Sequence, residues 1–410
     1  MPTPSAASAA RPDPPAVEPL GARQSTLRES NLSLVARTVC ASPAPLSRAG
    51  VAARTSMTRS TVSRLVDDLV AGGVLAELEP PAVTGPGRPA IPLVPSSGLV
   101  ALGLQVNASY LAARLVDLRG RVVAEHVEYD DLVGCDPRST LGRLGALSKQ
   151  VLGQAQGARL VGAGLALPGI VSSGSGRLLL APNLGWSDLE PAAFLDDEAV
   201  GGTPLRIGNE ADLAARTVAR VAPGRPGRLA DFIYLSGEIG IGGAAVVDGQ
   251  VMSGRHGWAG EVGHVCVDPD GPPCRCGSTG CLEQYAGRQA LVAAAGLAPD
   301  ATPAELAERL RSGDSRAKTA VASAAWALGI ALAGVVNVLD IPAIVLGGHL
   351  GQITELLRPD LEQQLRRRVL SARWVALTIE PADGDPAPGA TGAAQLELTA
   401  VLANPAKWVD

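Results

Sequence analysis

Residues 260–283 read GEVGHVCVDPDGPPCRCGSTGCLE. Within this stretch His264, Cys274, Cys276 and Cys281 offer one imidazole and three thiols, and the interspersed glycines supply the sharp turns of a compact loop. Four nitrogen and sulfur ligands fit a closed tetrahedral zinc site. We therefore predict a structural zinc ion, because protein ligands fill every position and leave none for a catalytic water. The alternative is a loop of free thiols, and the spacing is not the CxxC pattern of redox proteins.

On both sides of the loop, apolar patterning predicts two α/β units of similar plan. In the first we expect strands at 99–106, 110–117, 122–127 and 160–167 and a helix at 141–156. After residue 230, strands at 232–235 and 243–247 and an Asp-Gly turn repeat the start of that plan. Two such halves imply a two-lobed α/β body with a cleft between the lobes.

The most apolar stretch, residues 327–348, contains Asn337, Asp340 and Pro342. These residues favour a buried helix followed by a buried strand over a membrane span. The N-terminus has no charged and apolar segments typical of a signal peptide. We therefore expect a cytoplasmic protein without membrane contact.

The composition and charge exclude some classes of protein. The chain has 410 residues, of which 46% are hydrophobic and 18% charged, and this excludes a disordered chain. The net charge of −5 excludes a uniformly basic coat protein. Residues 26–96 hold seven Arg and five acidic residues, so a mildly basic segment precedes an acidic body. Three further cysteines, Cys40, Cys135 and Cys266, lie in apolar contexts, and we expect Cys266 in the core.

The basic segment is predicted to be a winged helix-turn-helix domain at residues 26–96, after a disordered tail at 1–25 that is rich in Pro and Ala. An amphipathic helix around 32–39 and a short helix at 47–54 precede a third helix capped by Thr58. Strands at 74–79 and 91–94 flank the loop TGPGRP, which carries Arg88 and forms the wing.

The third helix is sized for the DNA major groove, and its exposed face carries Arg and hydroxyl groups. The alternative is a small helical domain with a solvated charged face, but the order of elements and the wing argue against it. The predicted DNA-contacting residues are Thr58, Arg59, Ser60, Thr61, Ser63, Arg64 and Arg88.

Several motifs together resemble the ROK family of sugar kinases and sugar-responsive repressors. They are GEVGH (260–264), CRCGSTGCLE (274–283), LPG (167–169), LLLAPNLGW (178–186), NEAD (209–212) and IVLGG (344–348). The segments at 47–70 and 87–93 resemble the DNA-binding half of the repressor branch. The resemblance implies an actin-like, ribonuclease-H-like body, usually in dimers or tetramers. We expect its lobes at about 97–215 plus a C-terminal helix at about 388–405, and at about 216–387.

The resemblance also implies a sugar site. By position the family's sugar contacts fall on Asn209, Glu210, Glu261, His264 and Glu283, and Pro168 and Gly169 bring backbone to the cleft. Paired carboxylates and an amide suit polyol hydroxyls. Glu210 takes the position of the catalytic base in kinases. His264 would bind zinc with one ring nitrogen and face the sugar with the other.

The phosphate-binding turns depart from the kinase pattern. Kinases of the family begin with DxGGT, where this chain has Gln105-Val106-Asn107-Ala108-Ser109. The second turn, GTGIGGG in kinases, reads GEIGIGG at 237–243 and places Glu238 where phosphate would lie. Side chains at the glycine positions should block close approach of phosphate to the backbone. Phosphoryl transfer depends on positioning and charge neutralisation, so we expect no kinase activity.

The sequence thus predicts a transcription factor, most often a repressor in this branch, released from operator DNA by a sugar. Alternatives are a sugar kinase with an appended DNA-binding domain, and a DNA-binding protein whose body is a scaffold that binds no sugar. The effector stays open among xylose, glucose and N-acetylglucosamine types. Predicted partners are double-stranded operator DNA, the sugar and further copies of the chain.

Overall fold

A computed structural model describes residues 24–80, 90–155, 157–172 and 174–409. The N-terminal part is a winged unit that consists of α1 (Gln24–Cys40), α2 (Arg48–Thr55), α3 (Arg59–Ala71), β1 (Leu75–Glu77) and β2 (Leu93–Pro95). Ser47 and Thr58 cap the second and third helices with side-chain oxygens. The two strands pair antiparallel. The predicted helices and strands are confirmed, whereas Arg88 and the predicted tail up to residue 23 lie outside the described residues.

The first lobe is built on a five-stranded mixed sheet of order β10-β6-β3-β4-β5, in which β3, β6 and β10 run parallel. A small sheet, β7-β8-β9, lies beside it. The elements in chain order are β3 (Leu99–Asn107), β4 (Tyr110–Asp117), β5 (Val122–Tyr129), α4 (Pro137–Leu152), β6 (Arg159–Leu167), β7 (Ile170–Val171), β8 (Leu178–Ala181), β9 (Trp186–Leu189), β10 (Leu205–Asn209) and α5 (Glu210–Ala219).

Helix α4 corrects a predicted boundary. We expected it at 141–156, and it occupies Pro137–Leu152. The Asp136 side chain accepts from the backbone N–H of Ser139, so it caps a helix whose first residue is Pro137. The apolar periodicity that located the helix does not report this cap.

The second lobe repeats the plan with the sheet β15-β14-β13-β16-β17. Its elements, with the helices that close the chain, are β11 (Arg220–Ala222), β12 (Arg225–Pro226), β13 (Phe232–Gly237), β14 (Ile241–Val247), β15 (Gln250–Val251), α6 (Glu283–Ala286), α7 (Arg288–Ala294), α8 (Pro303–Arg311), α9 (Ser315–Leu339), β16 (Ala343–Gly347), α10 (Gly348–Gln352), α11 (Thr354–Arg368), β17 (Thr378–Pro381), α12 (Pro388–Ala403) and α13 (Ala406–Val409).

Helix α9 is long and apolar enough to cross a membrane by length and composition alone, and it is the one such helix among the described residues. It packs against α6, α7 and α11 in the core of the second lobe. Ala324, Leu328 and Leu332 are fully buried there. The predicted buried helix and following buried strand are thus confirmed, and the burial accounts for the hydropathy.

Helix α12 returns the chain to the first lobe. It lies on β3 and β6 and beside α5. Small residues permit this close approach, because a Cβ on Gly103 would collide with the Ala390 carbonyl. The apolar core of the winged unit continues into this helix through Leu398 and Leu402. The predicted lobe limits remain predictions, and α5 crosses the boundary that we placed at residue 215.

Candidate functional site

The loop between β15 and α6 gathers its four predicted metal ligands. The Sγ atoms of Cys274, Cys276 and Cys281 and a ring nitrogen of His264 all lie within 4.8 Å of one another. The Cys276 and Cys281 sulfurs are 3.7 Å apart, and the Cys274 sulfur lies 3.8 Å from His264 Nδ1. Zinc–sulfur bonds of about 2.3 Å in a tetrahedron place sulfurs about 3.8 Å apart. The cluster could therefore hold a metal ion, and its dimensions suit zinc.

Burial favours the protonated thiols of this cluster when no cation is bound. Burial raises the pKa values of the Cys274 and Cys281 thiols above the ordinary range. A bound divalent cation acts in the opposite direction, because it stabilises the thiolate.

A fourth cysteine of the loop, Cys266, is exposed, so its predicted place in the core was wrong. It lies on a β-bridge opposite Cys281, and its side chain faces outward.

A cavity, here called the first cavity, lies in the cleft beside this loop. It is bounded by residues of both lobes. All seven predicted sugar-site residues line it: Pro168, Gly169, Asn209, Glu210, Glu261, His264 and Glu283. The structure therefore brings the predicted set together around one space, and their role in binding sugar remains a prediction.

The first lobe supplies Asn209 at the junction of β10 and α5. Its Oδ1 accepts from the backbone N–H groups of Ala211 and Asp212, and so caps α5. Its Nδ2 donates to the Gly169 carbonyl at 2.9 Å. Gly169 has φ +91°, a left-handed conformation that favours glycine, and a Cβ there would collide with the Leu180 carbonyl. The amide is thus fixed in position at the cavity wall.

The second lobe supplies the acidic side of the cavity. Glu283, at the start of α6, is 5% exposed, and its Oε1 lies 3.0 Å from Cys274 Sγ. His264 turns Nδ1 toward Cys274, while its Nε2 lies 4.0 Å from the Glu261 carboxylate. Burial raises the pKa of Glu261. The loop therefore positions three cavity-lining side chains. The two ring nitrogens of His264 face different groups, and the predicted roles of these nitrogens toward zinc and sugar remain predictions.

Glu210 is engaged by two amides from β3. Its Oε1 accepts from Gln105 Nε2 at 2.7 Å and from Asn107 Nδ2 at 2.5 Å. Burial raises the pKa of Glu210 to about 7, although both amide hydrogen bonds act in the opposite direction. The two amides of β3 that the sequence analysis placed in the first predicted phosphate turn are thus bound to the Glu210 carboxylate.

A second cavity of about 950 Å³ adjoins the first and shares Ala108, Ser236, Glu238 and Ile239 with it. Among the described residues its wall carries the guanidinium of Arg288 and six carboxylates, namely Asp130, Asp131, Glu238, Asp300, Asp383 and Asp385. Two of these carboxylates are paired with arginines behind the wall, Asp130 with Arg143 and Asp385 with Arg114. A Cβ on Gly348 would lie 2.5 Å from Glu238 Oε1, so this carboxylate occupies the space beside the glycine turn. Burial, with Glu210 nearby, raises the pKa of Glu238 to about 7.

In the winged unit, α3 presents a basic face. Arg59, Ser60 and Arg64 are exposed, and among the described residues no carboxylate lies within ion-pairing distance of either arginine. The acidic residues of the helix are engaged elsewhere. Asp67 pairs with Arg48 at 2.5 Å, and Asp68 with Arg28 at 3.1 Å. The hydroxyl groups of Thr58 and Thr61 form a hydrogen bond at the N-terminus of the helix. Ser63, further along the helix, is half-buried.

Fold and site together define a two-lobed, actin-like protein with a loop at its cleft that could hold a metal ion, and with an N-terminal winged unit. Residues 101–400 match the ROK family, and the chain belongs to that family. It is similar to the xylose repressor of Caldicellulosiruptor bescii, with 28% identity over 372 residues that cover 86% of this chain and 92% of the repressor. It is also similar to the glucokinase of Streptomyces coelicolor, with 28% identity over 72% of this chain and 97% of the kinase.

A solved structure of a ROK family transcriptional regulator, a homolog of the E. coli Mlc protein, superimposes with a TM-score of 0.74 at 24% identity. It covers 93% of this chain and 99% of the regulator. A ROK glucokinase from Streptomyces griseus, in complex with glucose and AMPPNP, gives a TM-score of 0.62 at 26% identity and covers 72% of this chain. The chain thus resembles xylose repressors and an Mlc-like regulator over most of its length.

Sequence reasoning missed some residues of the site. Asn183 lines the first cavity, and its Oδ1 accepts from Arg275 Nη1 at 3.2 Å. An amide in the turn of LLLAPNLGW is a signal that could have identified it. We noted Gln105 and Asn107 only as departures from the kinase turn, because nothing local in the sequence reveals their bonds to Glu210.

Proposed function

We propose that this protein is a sugar-responsive DNA-binding transcription regulator, a repressor that leaves its operator when a sugar binds in the first cavity. The observation that carries the proposal is the convergence of Asn209, Glu261, His264 and Glu283 on one cavity of a chain that also has a winged unit. The likeness to xylose repressors over 86% of the chain supports it.

The proposed DNA interface is the exposed face of α3. Arg59, Ser60, Ser63 and Arg64 would reach base edges in the major groove, with Thr58 and Thr61 close to the phosphates. Arg88, in the predicted wing, would contact phosphate or the minor groove. The pairing of Asp67 and Asp68 with arginines supports this assignment, because it leaves the exposed cations of α3 available for DNA.

The DNA interface is tested by Arg64→Ala, measured by fluorescence anisotropy on DNA from upstream of the protein's own gene. Loss of a bidentate base contact should weaken specific binding by about 10-fold or more, since such contacts contribute about 1–3 kcal/mol. Arg311→Ala, which removes an exposed arginine of the second lobe, should leave binding unchanged. If Arg64→Ala bound as tightly as wild type, Arg64 would be removed from the interface.

The proposed effector is an aldose or an N-acetylhexosamine. Carboxylates and an amide fixed by caps and hydrogen bonds offer polyol hydroxyls acceptors and a donor. The first cavity is lined by Asn209 of the first lobe and Glu261 of the second, and it adjoins the larger second cavity. A sugar bound to both lobes would favour the lobe arrangement in which both sets of contacts form. In a dimer this changes the spacing of two winged units and their fit to two half-sites.

We further propose that the protein does not transfer phosphate. Gln105 and Asn107 fill the first phosphate turn, and six carboxylates surround the second cavity. Phosphoryl transfer depends on donors and cations that neutralise charge, and this lining offers the opposite. ATP turnover with D-xylose, D-glucose and N-acetyl-D-glucosamine should stay at background. Turnover with any of them would favour the alternative, a sugar kinase with a DNA-binding domain.

Zinc is the proposed occupant of the cysteine loop, with a structural role. His264, Cys274, Cys276 and Cys281 would hold it, and it would supply the constraint that keeps Glu261 and Glu283 in place. We also propose a cytoplasmic homodimer or homotetramer, in keeping with the resemblance. Thermal-shift screening tests the sugar site: stabilisation by one sugar of the panel is expected, and none by any sugar would favour a body that serves only as a scaffold.

A further inference from the structure

We propose that Gln105 is a positioning residue that transmits the occupancy of the first cavity to helix α12, and through it to the winged unit. This inference rests on the proposed function. The juxtaposition that carries it is a continuous set of contacts from Glu210 through Gln105 and α12 to α1 and α3.

At the cavity, Gln105 uses its whole amide. Nε2 donates to Glu210 Oε1 at 2.7 Å and to the Tyr110 hydroxyl at 2.8 Å, and Oε1 accepts from the Ala390 backbone N–H at 2.9 Å. The side chain is fully buried. Ala390 lies in the first turn of α12, where N–H groups have no partner within the helix. One side chain therefore joins a cavity carboxylate to the beginning of α12.

Helix α12 is held too tightly to absorb a shift by bending. A Cβ on Gly164 would lie 2.9 Å from the Ala393 carbonyl oxygen, and a Cβ on Gly392 would collide with the Leu213 carbonyl of α5. Gly389 packs directly on the Gln105 amide. Close-packed interfaces have few arrangements, and they change between discrete positions rather than deform gradually.

At its other end α12 belongs to the core of the winged unit. Leu398 and Leu402 are buried with Leu32 and Val35 of α1. Ser33 Oγ donates to the Leu402 carbonyl at 2.8 Å, which ties α1 to the last turn of α12.

The following helix, α13, reaches the end of α3. A Cβ on Gly72, the C-cap of α3, would lie 2.8 Å from the Val409 side chain. A displacement of α12 along its axis is thus passed on to both α1 and the helix proposed to contact DNA.

The cavity end can change when a sugar binds. Glu210 Oε1 accepts both amides of β3 in the present arrangement. A sugar hydroxyl that hydrogen-bonds to this carboxylate would require it to rotate or share its acceptor sites. The Gln105 side chain has a fixed length, so it cannot reach a displaced Glu210 and still bond to Ala390. It must either move with Glu210 and lose the hydrogen bond to the Ala390 N–H, or keep that bond and lose the one to Glu210. This gives two arrangements that a sugar can bias, which is what coupling between separate sites requires.

Hydrogen–deuterium exchange of the full chain tests this relay, with and without D-xylose, D-glucose or N-acetyl-D-glucosamine at saturation. In the wild type one sugar should slow the exchange rates of residues 209–213, next to the cavity. It should also change the exchange rates of the distant segments 388–403 and 59–71 by about fivefold or more, which is the lower end of the usual range of allosteric coupling. In Gln105→Met, which keeps the volume but loses the hydrogen bonds, the effect at 209–213 should persist and the effect at the other two segments should disappear.

Two further variants separate the relay from a general loss of stability. Ser148→Ala removes a buried hydrogen bond of the same lobe on α4 and should leave all three responses intact. Ser33→Ala should keep the response of α12 and reduce that of 59–71. Persistence of the distant responses in Gln105→Met would overturn the relay and leave the proposed function standing. Absence of protection at 209–213 with every sugar would overturn the proposed function, and the relay with it.

Discussion

The two cavities of the cleft share a wall but differ in chemistry. The first is narrow and lined by an amide, an imidazole and carboxylates that caps and hydrogen bonds hold in place. The second is wide, and its wall carries the guanidinium of Arg288 and six carboxylates, of which Asp130 and Asp385 are paired with arginines behind the wall. Carboxylates in a cavity wall can accept hydrogen bonds from the neutral hydroxyls of a polyol, but they repel an anionic phosphate group. This difference supports the proposal that the first cavity binds a sugar and that the second does not bind a phosphate donor.

The difference also extends to stability. The first cavity adjoins a loop that could hold a metal ion, and with the proposed zinc bound its geometry would depend on a few strong bonds. The second cavity lies between helices and turns of both lobes and has no such cluster within the described residues. Changes at the metal loop should therefore affect the first cavity much more than the second.

The largest expected effect is that of removing a metal ligand. Cys281→Ser should release the ion and abolish sugar binding, because the apparent binding free energy of a structural zinc is about 10 kcal/mol or more in small peptides. Plasma emission spectrometry should find one zinc per wild-type chain, and calorimetry should detect no sugar binding by the variant. Cys266→Ser, an exposed cysteine in the same loop, is the matched control and should retain both. If Cys281→Ser kept full sugar affinity, the loop would not support the cavity.

The next effect concerns the pH dependence of stability and three carboxylates whose pKa values burial raises. Burial raises the pKa values of Glu210, Glu238 and Asp212 to about 7. Near pH 6 these groups bind protons in the folded chain and not in the unfolded one. The free energy of unfolding should therefore fall as pH rises from about 5 to about 8.

Glu210→Gln should make the decrease in the free energy of unfolding between about pH 5 and about pH 8 smaller. The expected difference is on the order of 1–3 kcal/mol, because burial raises the pKa of Glu210 from 4.5 to about 7. Urea unfolding at pH 5 and pH 8 measures the difference. Glu308→Gln, which changes an exposed glutamate of α8, should follow the wild type. An identical pH dependence for Glu210→Gln and wild type would show that Glu210 is not held protonated by burial.

A smaller effect should separate the two cavities directly. Glu261→Gln should weaken binding of the effector sugar by about 10-fold, as expected for one hydrogen bond to a charged acceptor. Asp383→Asn, in the wall of the second cavity alone, should leave the affinity unchanged. Isothermal calorimetry with the sugar chosen by thermal shift makes the comparison. Equal losses in both variants would contradict the assignment of the sugar to the first cavity.

The smallest effect should come from the charge in the second cavity. Glu238→Thr removes a carboxylate from the glycine turn and should raise the affinity for AMPPNP by about fivefold, within the range of a single partly buried charge contact. Turnover of ATP should remain absent, because Gln105 and Asn107 still occupy the first turn. Recovery of sugar phosphorylation in this variant would mean that one carboxylate alone prevents the reaction.

The features that could be predicted from the sequence are those set by residues close to one another along the chain. The ligands of the cysteine loop, the cap at Thr58 and most strands of the two sheets follow from local spacing, whereas the edge strands β10, β15 and β17 were not predicted. The motif positions also named the residues that line the first cavity. Local patterning misplaced α4, because apolar periodicity does not contain the Asp136 cap. It also placed Cys266 in the core, although the residue faces outward beside the buried Cys281.

Other features depend on residues that are distant in the chain. Gln105 meets Glu210 across 105 positions and Ala390 across 285. The glycines at 103 and 164 matter because a helix some hundreds of residues later packs on them. The charged residues that line the second cavity come from α7 and from the connections after β5, β13 and α7 and before α12. Such contacts arise only when the chain closes, so spacing does not report them.

The central claim is that a sugar in the first cavity controls DNA binding. It is tested most directly by anisotropy titration of DNA from upstream of the protein's own gene, with and without D-xylose, D-glucose and N-acetyl-D-glucosamine. We predict specific binding that one sugar weakens by about 10-fold or more, within the usual range of allosteric coupling. Specific binding that no sugar changes, or the absence of specific binding, would contradict the claim.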